Sequence, residues 1–599
     1  MSRAAALKNH TLPETAFTAL AAGEGDTDVI CLLRRAQQSK HTMLLHAIAE
    51  AARDVDPGDP AIIAFRAGYE LLARVQEADL AVSTWLLGLP QFGGWANDGL
   101  IRLDQGRPPD FAYLACAAAA AAVRAGVPFE LDVPVRDGHA LLPGLGRITA
   151  GYEAGADCAP GWIPLRCDGS QLAAGDDVML PRSAIKPDYG VVPPVPYWQG
   201  TPAVHVEADE LSWDVLLVTD DPYLDRYPLP MTTDLDTRQR ERWRQRVRAA
   251  FAVLARQHRW AAGPIADGIT AIVPLTPRTE TDLVTATSPA AFGAIATSWP
   301  PDAVTLAETL VHEFQHTKLC GLLDLVPLSE PGGDAVYAPW RRDPRPAGGL
   351  LQGIYAHVGI VRFWAAQRQA ETQPDDILRA QVQFARWRPT ITAAVDTLRQ
   401  TGCLTAEGRR FTELTRAQGQ CFADEPVPDE ALRIAREVSL DHWLTWQIQH
   451  VAVDQSGAAR LADAYRAGQP FLSPHLPGTW IQEDVRKLSS SVRSRLLNMS
   501  YLEPGRYREL LSDGPSALAE SDRLLLSGAS QAAVRGYRDL ISESADQEPE
   551  AWVGLALALE RCPASPLAGT FAARLPVLFE VHRCLGAGSD PLELAAWLR

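Results

Sequence analysis

Apolar residues recur at helical spacing along much of the chain. In VTLAETLVHEFQHTKLCGLL, residues 304–323, Leu306, Leu310, Phe314 and Leu322 keep that spacing, and no Gly or Pro falls between Asp302 and Cys320. The same period marks 29–52, through Leu32, Leu33, Leu44, Leu45 and Ile48, and continues over 60–87 until Gly88-Leu89-Pro90 ends it. The Gly-rich PQFGGWAND that follows reads as a turn. Phe111–Val123 is an Ala-rich packed helix, shorter than a membrane span. From Pro128 to about Val218 the period changes to two, as in Phe129-Glu130-Leu131-Asp132-Val133, with Pro and Gly between the runs. His205-Val206-Glu207-Ala208-Asp209 is one such strand, and its histidine is more simply structural than functional. A charged helix over 234–257 has a solvated face, and strands at 269–275 and 291–299 precede the 304–323 helix. A second apolar helix starts near Gly348, 375–453 is helical again, and 480–497 forms a further helix.

These patterns predict an α+β protein, predominantly helical, in four stretches. Residues 1–127 form a helical N-terminal region and 128–235 a β-rich segment. Residues 236–470 form a catalytic core and 471–599 a helical C-terminal region. In that tail, AVRGYRDLISESADQEPEAWVGLALALE is like one degenerate tetratricopeptide unit, which is not an array. Strands placed just before the 304–323 helix follow the order of zincin-like folds, whose edge strand can hydrogen-bond an extended peptide.

Composition narrows the function classes. A chain of 599 residues exceeds one ordinary core. Its net charge of −17, without a basic block, argues against nucleic acid as partner. Nine scattered cysteines, an odd number with no CxxC pair, read as reduced cytosolic thiols. The N-terminus lacks the apolar core of a signal peptide, so the expected location is cytoplasmic, with no membrane partner.

The chemistry concentrates in His312-Glu313-Phe314-Gln315-His316, an HExxH motif. Four residues apart on a helix, His312 and His316 share a face and can hold one metal ion, with Glu313 beside them as the catalytic carboxylate. Two core or surface histidines are the bland alternative. A third ligand is needed, and His357, 41 residues after His316 on the second apolar helix, is favoured over Glu330 and Asp343 in the intervening loop. Gly353, four residues before His357, lets that face approach another helix closely. Glu308, one turn before His312, is a supporting or surface residue. His41 and His46, five apart, and His442 and His450, eight apart, lack joint chelating spacing and read as structural. The ligand set leaves two metals open. Zn(II) would suit amide hydrolysis with Glu313 as base, and Fe(II) would leave room for a 2-oxo acid and dioxygen.

The loop PLSEPGGDAVYAPWRRDPRP bears on that choice. A 2-oxo acid carries a distal carboxylate that needs a cation, ideally a forked guanidinium. Arg341, Arg342 and Arg345 lie between the motif and His357, with Tyr337 and Trp340 as possible walls. Arg345 is favoured because prolines flank it; the alternative is that Arg–Asp pairs such as Arg342 and Asp343 merely order the loop.

The runs AFGAIATSWPPDAVTLAETL, LVHEFQHTKLCGLLDLVPL and YAPWRRDPRPAGGLLQGIYAHVGIVRFW resemble the HExxH-motif family associated with ribosomally made, modified peptides. The resemblance is sharp over about 285–370 and looser elsewhere, DHWLTWQIQHV included. It implies an Fe(II)- and 2-oxoglutarate-dependent peptide β-hydroxylase, with a ribosomally synthesised precursor peptide and other peptide-maturation enzymes as partners. It implies iron on His312, His316 and His357, and 2-oxoglutarate on an arginine of the loop, Arg345 or Arg342, near Tyr337. Under it, Glu313 need not be a hydrolytic base and can orient water or a ligand. The rival expectations are a cytosolic zinc-dependent metallopeptidase and a non-catalytic peptide-binding scaffold.

Overall fold

A computed structural model describes residues 10–149, 161–190, 195–278, 283–472, 476–482, 491–512, 520–543, 548–562 and 565–599. The protein is mixed α+β and mostly helical, 58% helix, with 22 helices among the described residues. It divides into two compact units, 1–327 and 328–599, and the division falls inside the 236–470 stretch.

The first unit opens with helices whose ends are set by side-chain caps. Helix Thr27–Ala51 starts where the Asp26 carboxylate accepts from the Val29 N–H. The 60–87 run is two helices rather than one, Pro60–Ala78 and Leu80–Leu87. Asp79 between them is extended, with φ −151°, and caps the second by accepting from Ala81 and Val82. The apolar period carries through this break and hides it.

PQFGGWAND is not a turn but the start of helix Pro90–Asp104. Its glycines serve close packing. A Cβ on Gly93 would meet the His41 ring at 2.7 Å, and one on Gly94 would meet the Tyr223 carbonyl at 2.5 Å. Pro90 opens the helix at a position where its missing N–H costs nothing. The Ala-rich helix, Tyr113–Ala125, is buried from Tyr113 to Val123 and ends at Gly126, φ +71°.

The β-rich region forms a seven-stranded antiparallel sheet with Val178–Pro181 and Trp198–Gly200 at its edges. Phe129, Leu131 and Val133 of its strand Phe129–Arg136 point into the core, as the alternation requires. A second, mixed sheet has the spatial order Thr285–Thr287, Ala294–Thr297, Ala271–Pro274, Leu211–Leu217, Ala203–Ala208. Ala271–Pro274 runs parallel to both neighbours, and the edge strand Thr285–Thr287 is antiparallel. Helix Thr237–Gln257 buries Trp243, Val247, Phe251 and Leu254 on one face and exposes much of its charge on the other. His205 lies exposed on the edge strand, donating to Asp214.

In the second unit, helices Ala347–Ala370, Pro374–Gln400, Ala406–Gln420 and Asp429–His450 pack side by side. The helix expected at 480–497 is corrected: Thr479–Ile481 is a short strand paired with Val451–Val453. The helix there is Val492–Leu502, capped by Ser491, and 483–490 lie outside the described residues. In the tail, helices Ser530–Glu543 and Pro549–Glu560 pack together around Tyr537 and Trp552. Among the described residues no helix is long and apolar enough to cross a membrane.

Candidate functional site

The motif lies on helix Ala303–Leu323, opened by Asp302, whose carboxylate accepts from the Thr305 N–H at 2.6 Å. Two polar side chains on its far side fix its rotation. Gln315 donates to the Gly23 carbonyl at 3.2 Å, and the Lys318 ammonium donates to those of Gly23 and Glu24, each at 2.9 Å. Phe314 fills the space left by Gly268, where a Cβ would meet its ring at 2.4 Å.

This rotation brings His312 and His316 together, with their Nε2 atoms 3.2 Å apart and their rings at an edge-on 77°. Two imidazole nitrogens each about 2.1 Å from one ion, at an angle between square and tetrahedral, lie roughly 3.0–3.4 Å apart. The pair therefore fits a shared metal. Burial pushes His312 down to about 4; the Glu313 carboxylate pulls it up and His316 pushes it further down. Within the first unit, among the described residues, no further His, Cys, Asp or Glu joins the pair in a group of three placed to hold an ion. Glu308 is half-buried on the same helix.

Glu313 is 1% exposed, and a carboxylate so buried requires hydrogen bonds. Both of its oxygens have one. Thr285 Oγ1 donates to Oε1 and Thr287 Oγ1 to Oε2, each at 2.6 Å. Two threonines two apart on a strand point to the same side, so the edge strand Thr285–Thr287 delivers both hydroxyls to one carboxylate. Its Oε1 is 3.9 Å from His312 Nε2. Tyr227 completes the surroundings. Its hydroxyl is buried without a hydrogen-bond partner, and burial, with the Glu313 charge second, holds its pKa well above the usual tyrosine value. Sequence reasoning missed Thr285, Thr287 and Tyr227. The alternating Thr-Ala-Thr before the helix was the one signal available.

The other expected site residues belong to the second unit. His357, 5% exposed, donates from Nδ1 to the Gly353 carbonyl at 2.8 Å. A carbonyl only accepts, so the neutral ring carries its lone pair on Nε2. Trp340 stacks on it at 4.3 Å and Trp387 meets it edge-on at 4.7 Å. Gly353 serves this stack, because a Cβ there would meet the Trp340 indole at 2.1 Å. The close approach expected of a neighbouring helix at Gly353 is made by the loop tryptophan.

Arg345 and Arg341 both pair with Asp343, at 2.9 and 3.0 Å. Burial raises the Asp343 carboxyl, but hydrogen bonds from Arg345 and Arg341 outweigh it and hold the pKa low. Glu330 is exposed. Tyr337 packs against Trp443 and Trp446, and its hydroxyl meets His442 Nδ1 at 2.8 Å. Burial pushes His442 down to about 4, helped by the charges of Arg386 and Arg342. His450 donates from Nε2 to the Arg342 carbonyl at 2.7 Å, anchoring the loop on helix Asp429–His450. Arg342 and Arg386 line a cavity of about 80 Å³ with His442, Thr445, Trp446 and Asp441. A larger groove, about 1090 Å³, runs between helices of the same unit past Arg433, Glu437, Tyr507 and Arg561.

The sequence matches no protein-family model and no curated protein with which it was compared.

Proposed function

We propose that this protein is an Fe(II)- and 2-oxoglutarate-dependent oxygenase that hydroxylates a side-chain β-carbon in a ribosomally made peptide. The observation that carries the reading is the division of labour within the motif. His312 and His316 converge at 3.2 Å, while Glu313 is tied at both oxygens to the edge strand. A hydrolytic base must reach a metal-bound water, and two threonine donors compete for the lone pairs it would use. A carboxylate held this way suits orientation of the neighbouring histidine better than proton abstraction. That weighs against the zinc peptidase.

Iron on the two histidines would supply the oxidising chemistry, coupled to conversion of 2-oxoglutarate to succinate and carbon dioxide. His357 is carried over from the sequence as the proposed third ligand; within its own unit, the fixed tautomer supports it. The zincin-like core is likewise a proposal, supported by the mixed sheet with its antiparallel edge strand beside the motif helix. This chain's part is to hold the ligands, orient His312 through Glu313, and present the edge strand Thr285–Thr287 to an extended peptide. Cosubstrate is assigned to Arg342, which lines a cavity with Arg386, in preference to Arg345, which pairs with Asp343 outside it. A cytoplasmic location and a precursor-peptide partner follow from this reading.

The test is reconstitution of the full chain with Fe(II) or Zn(II) and a peptide library, followed by weighing the products. Gain of one oxygen that requires 2-oxoglutarate supports the oxygenase. Chain cleavage with zinc overturns it.

A further inference from the structure

We infer that a cavity in the first unit, lined by Asp220 and His139, is a binding site for a primary ammonium group carried on an alkyl chain. The cavity measures about 500 Å³, and every residue lining it belongs to that unit. Small-ligand pockets run to roughly 300–1,000 Å³. Local sequence builds one wall. Asp137-Gly138, at φ +50° and +77°, is the tight turn that sets Arg136 opposite His139 on strands Phe129–Arg136 and His139–Leu142. Side chains two apart on a strand share a face, so Leu141 lies beside His139, and Arg147 stands opposite Leu141 on strand Gly146–Thr149. These four residues all line the cavity. The segment that follows strand Leu211–Leu217 adds Asp220 and Met231.

The lining carries surplus negative charge. Four aspartates and two arginines border the space, and both arginines are paired. Arg136 binds Asp110 at 2.5 Å, and Arg147 binds Asp234 at 2.7 Å. Among the described residues no ion pair joins a cation to Asp137, Asp220 or Asp225, the other three acids of the lining. Asp225 accepts from the Met231 N–H. An anion entering the cavity would meet these carboxylates.

Two acceptors in the wall are unmet. Asp220 is half-buried, and among the described residues no other residue donates a hydrogen bond to its carboxylate. Burial raises that carboxyl above its ordinary value, while Arg147 pulls it down and Asp234 pushes it up. His139 Nδ1 is buried without a partner. Burial, then the charge of Arg147, lowers the His139 pKa against Asp234 and Asp137, which favours the neutral ring with one accepting nitrogen. Protein structures keep few such groups unpaired without a reason. An ammonium has three donors and no acceptor, so one group can serve both the carboxylate and the ring. A quaternary ammonium, with no N–H, would leave both unmet. Leu141 and Met231 offer apolar surface to the alkyl chain.

The inference does not need the metal reading. The ammonium can come from a lysine side chain of a peptide or from a free amine, and ligand-observed NMR titration of the full chain separates the two. The probes are capped Ala-Lys-Ala, its norleucine and trimethyl-lysine counterparts, pentylamine and pentanol. The lysine peptide, pentylamine or both are expected to bind, and the tighter of the two names the source. The norleucine and trimethyl-lysine peptides should bind at least about tenfold more weakly than the lysine peptide, and pentanol more weakly than pentylamine by the same margin. Asp220→Asn is expected to weaken ammonium binding about tenfold or more. That variant also separates recognition from folding. It removes a half-buried charge without a partner, so its Tm without ligand should hold or rise while affinity falls. Absence of binding by both amines, neutral or trimethylated counterparts that bind as well as the amines, or wild-type affinity in Asp220→Asn overturns the inference. Ammonium binding without any iron-dependent hydroxylation would sink the oxygenase and leave this site standing.

Discussion

Thr287 donates its hydroxyl to Oε2 of Glu313 at 2.6 Å, binding the middle of the HExxH motif to the edge of the mixed sheet. With Thr285 on the other oxygen, the strand holds a buried carboxylate that would otherwise be too costly to keep charged. Replacing Thr285 or Thr287 by Val, which preserves shape, should lower stability by about 1–3 kcal/mol each, the usual cost of stranding a buried acceptor. Urea unfolding of the two variants checks this. Loss under a few tenths of a kcal/mol in both would mean that the carboxylate finds other donors.

Glu313→Gln separates a positioning carboxylate from a base. A positioning role predicts that the variant retains bound metal and measurable conversion of 2-oxoglutarate. A base role predicts intact metal binding with hydrolysis lost by several orders of magnitude. Metal content and succinate release distinguish the two.

Asp221 makes the stability of the first unit pH-dependent. Burial raises its carboxyl to about 7, against hydrogen bonds from the Tyr223 N–H and the Tyr113 hydroxyl that lower it. Between its ordinary 3.8 and about 7 the folded protein holds a proton that the unfolded chain has released. Stability from this group is therefore complete at low pH and lost as pH rises toward 7. Asp221→Asn, neutral throughout, should gain stability relative to the wild type as pH climbs from 4 to 7 and stay level above that. Parallel melting curves across this range check it; a constant difference between the proteins would contradict the raised carboxyl.

Gly353→Ala should disturb the His357 site from inside its own unit. A methyl group would meet the Trp340 indole at 2.1 Å, so the indole must move and its stack on His357 must open. Overpacking of this kind costs about 1–3 kcal/mol. Tryptophan fluorescence and Tm should both change, and an unchanged emission spectrum would mean that the stack survives.

The two loop arginines should part company. Arg345→Ala breaks an ion pair with Asp343 on a half-exposed surface and should leave the 2-oxoglutarate requirement within about twofold. Arg342→Ala should raise that requirement about tenfold or more. The reverse ranking would return the cosubstrate to Arg345.

What the sequence reveals here follows from physical range. The motif helix, the His357 helix and the alternating strand at Phe129 were legible because their apolar period is local. Gly93-Gly94 misled because glycine permits close packing as readily as a turn, and only the positions of His41 and Tyr223 decide between them. The partners of Glu313 lie 26 and 28 residues away on a strand, and Arg386 and Arg342 line one cavity from a helix and a loop, so no local pattern announces either. The missed break at Asp79 shows a cap overriding an unbroken apolar period.

The most direct measurement is succinate release from 2-oxoglutarate by the full chain loaded with Fe(II), compared with His312→Ala and His316→Ala. Iron-dependent succinate in the wild type, and its loss in both variants together with bound iron, is the expected result. No succinate from the iron-loaded wild type, or release unaffected in both variants, would contradict an iron centre on this helix.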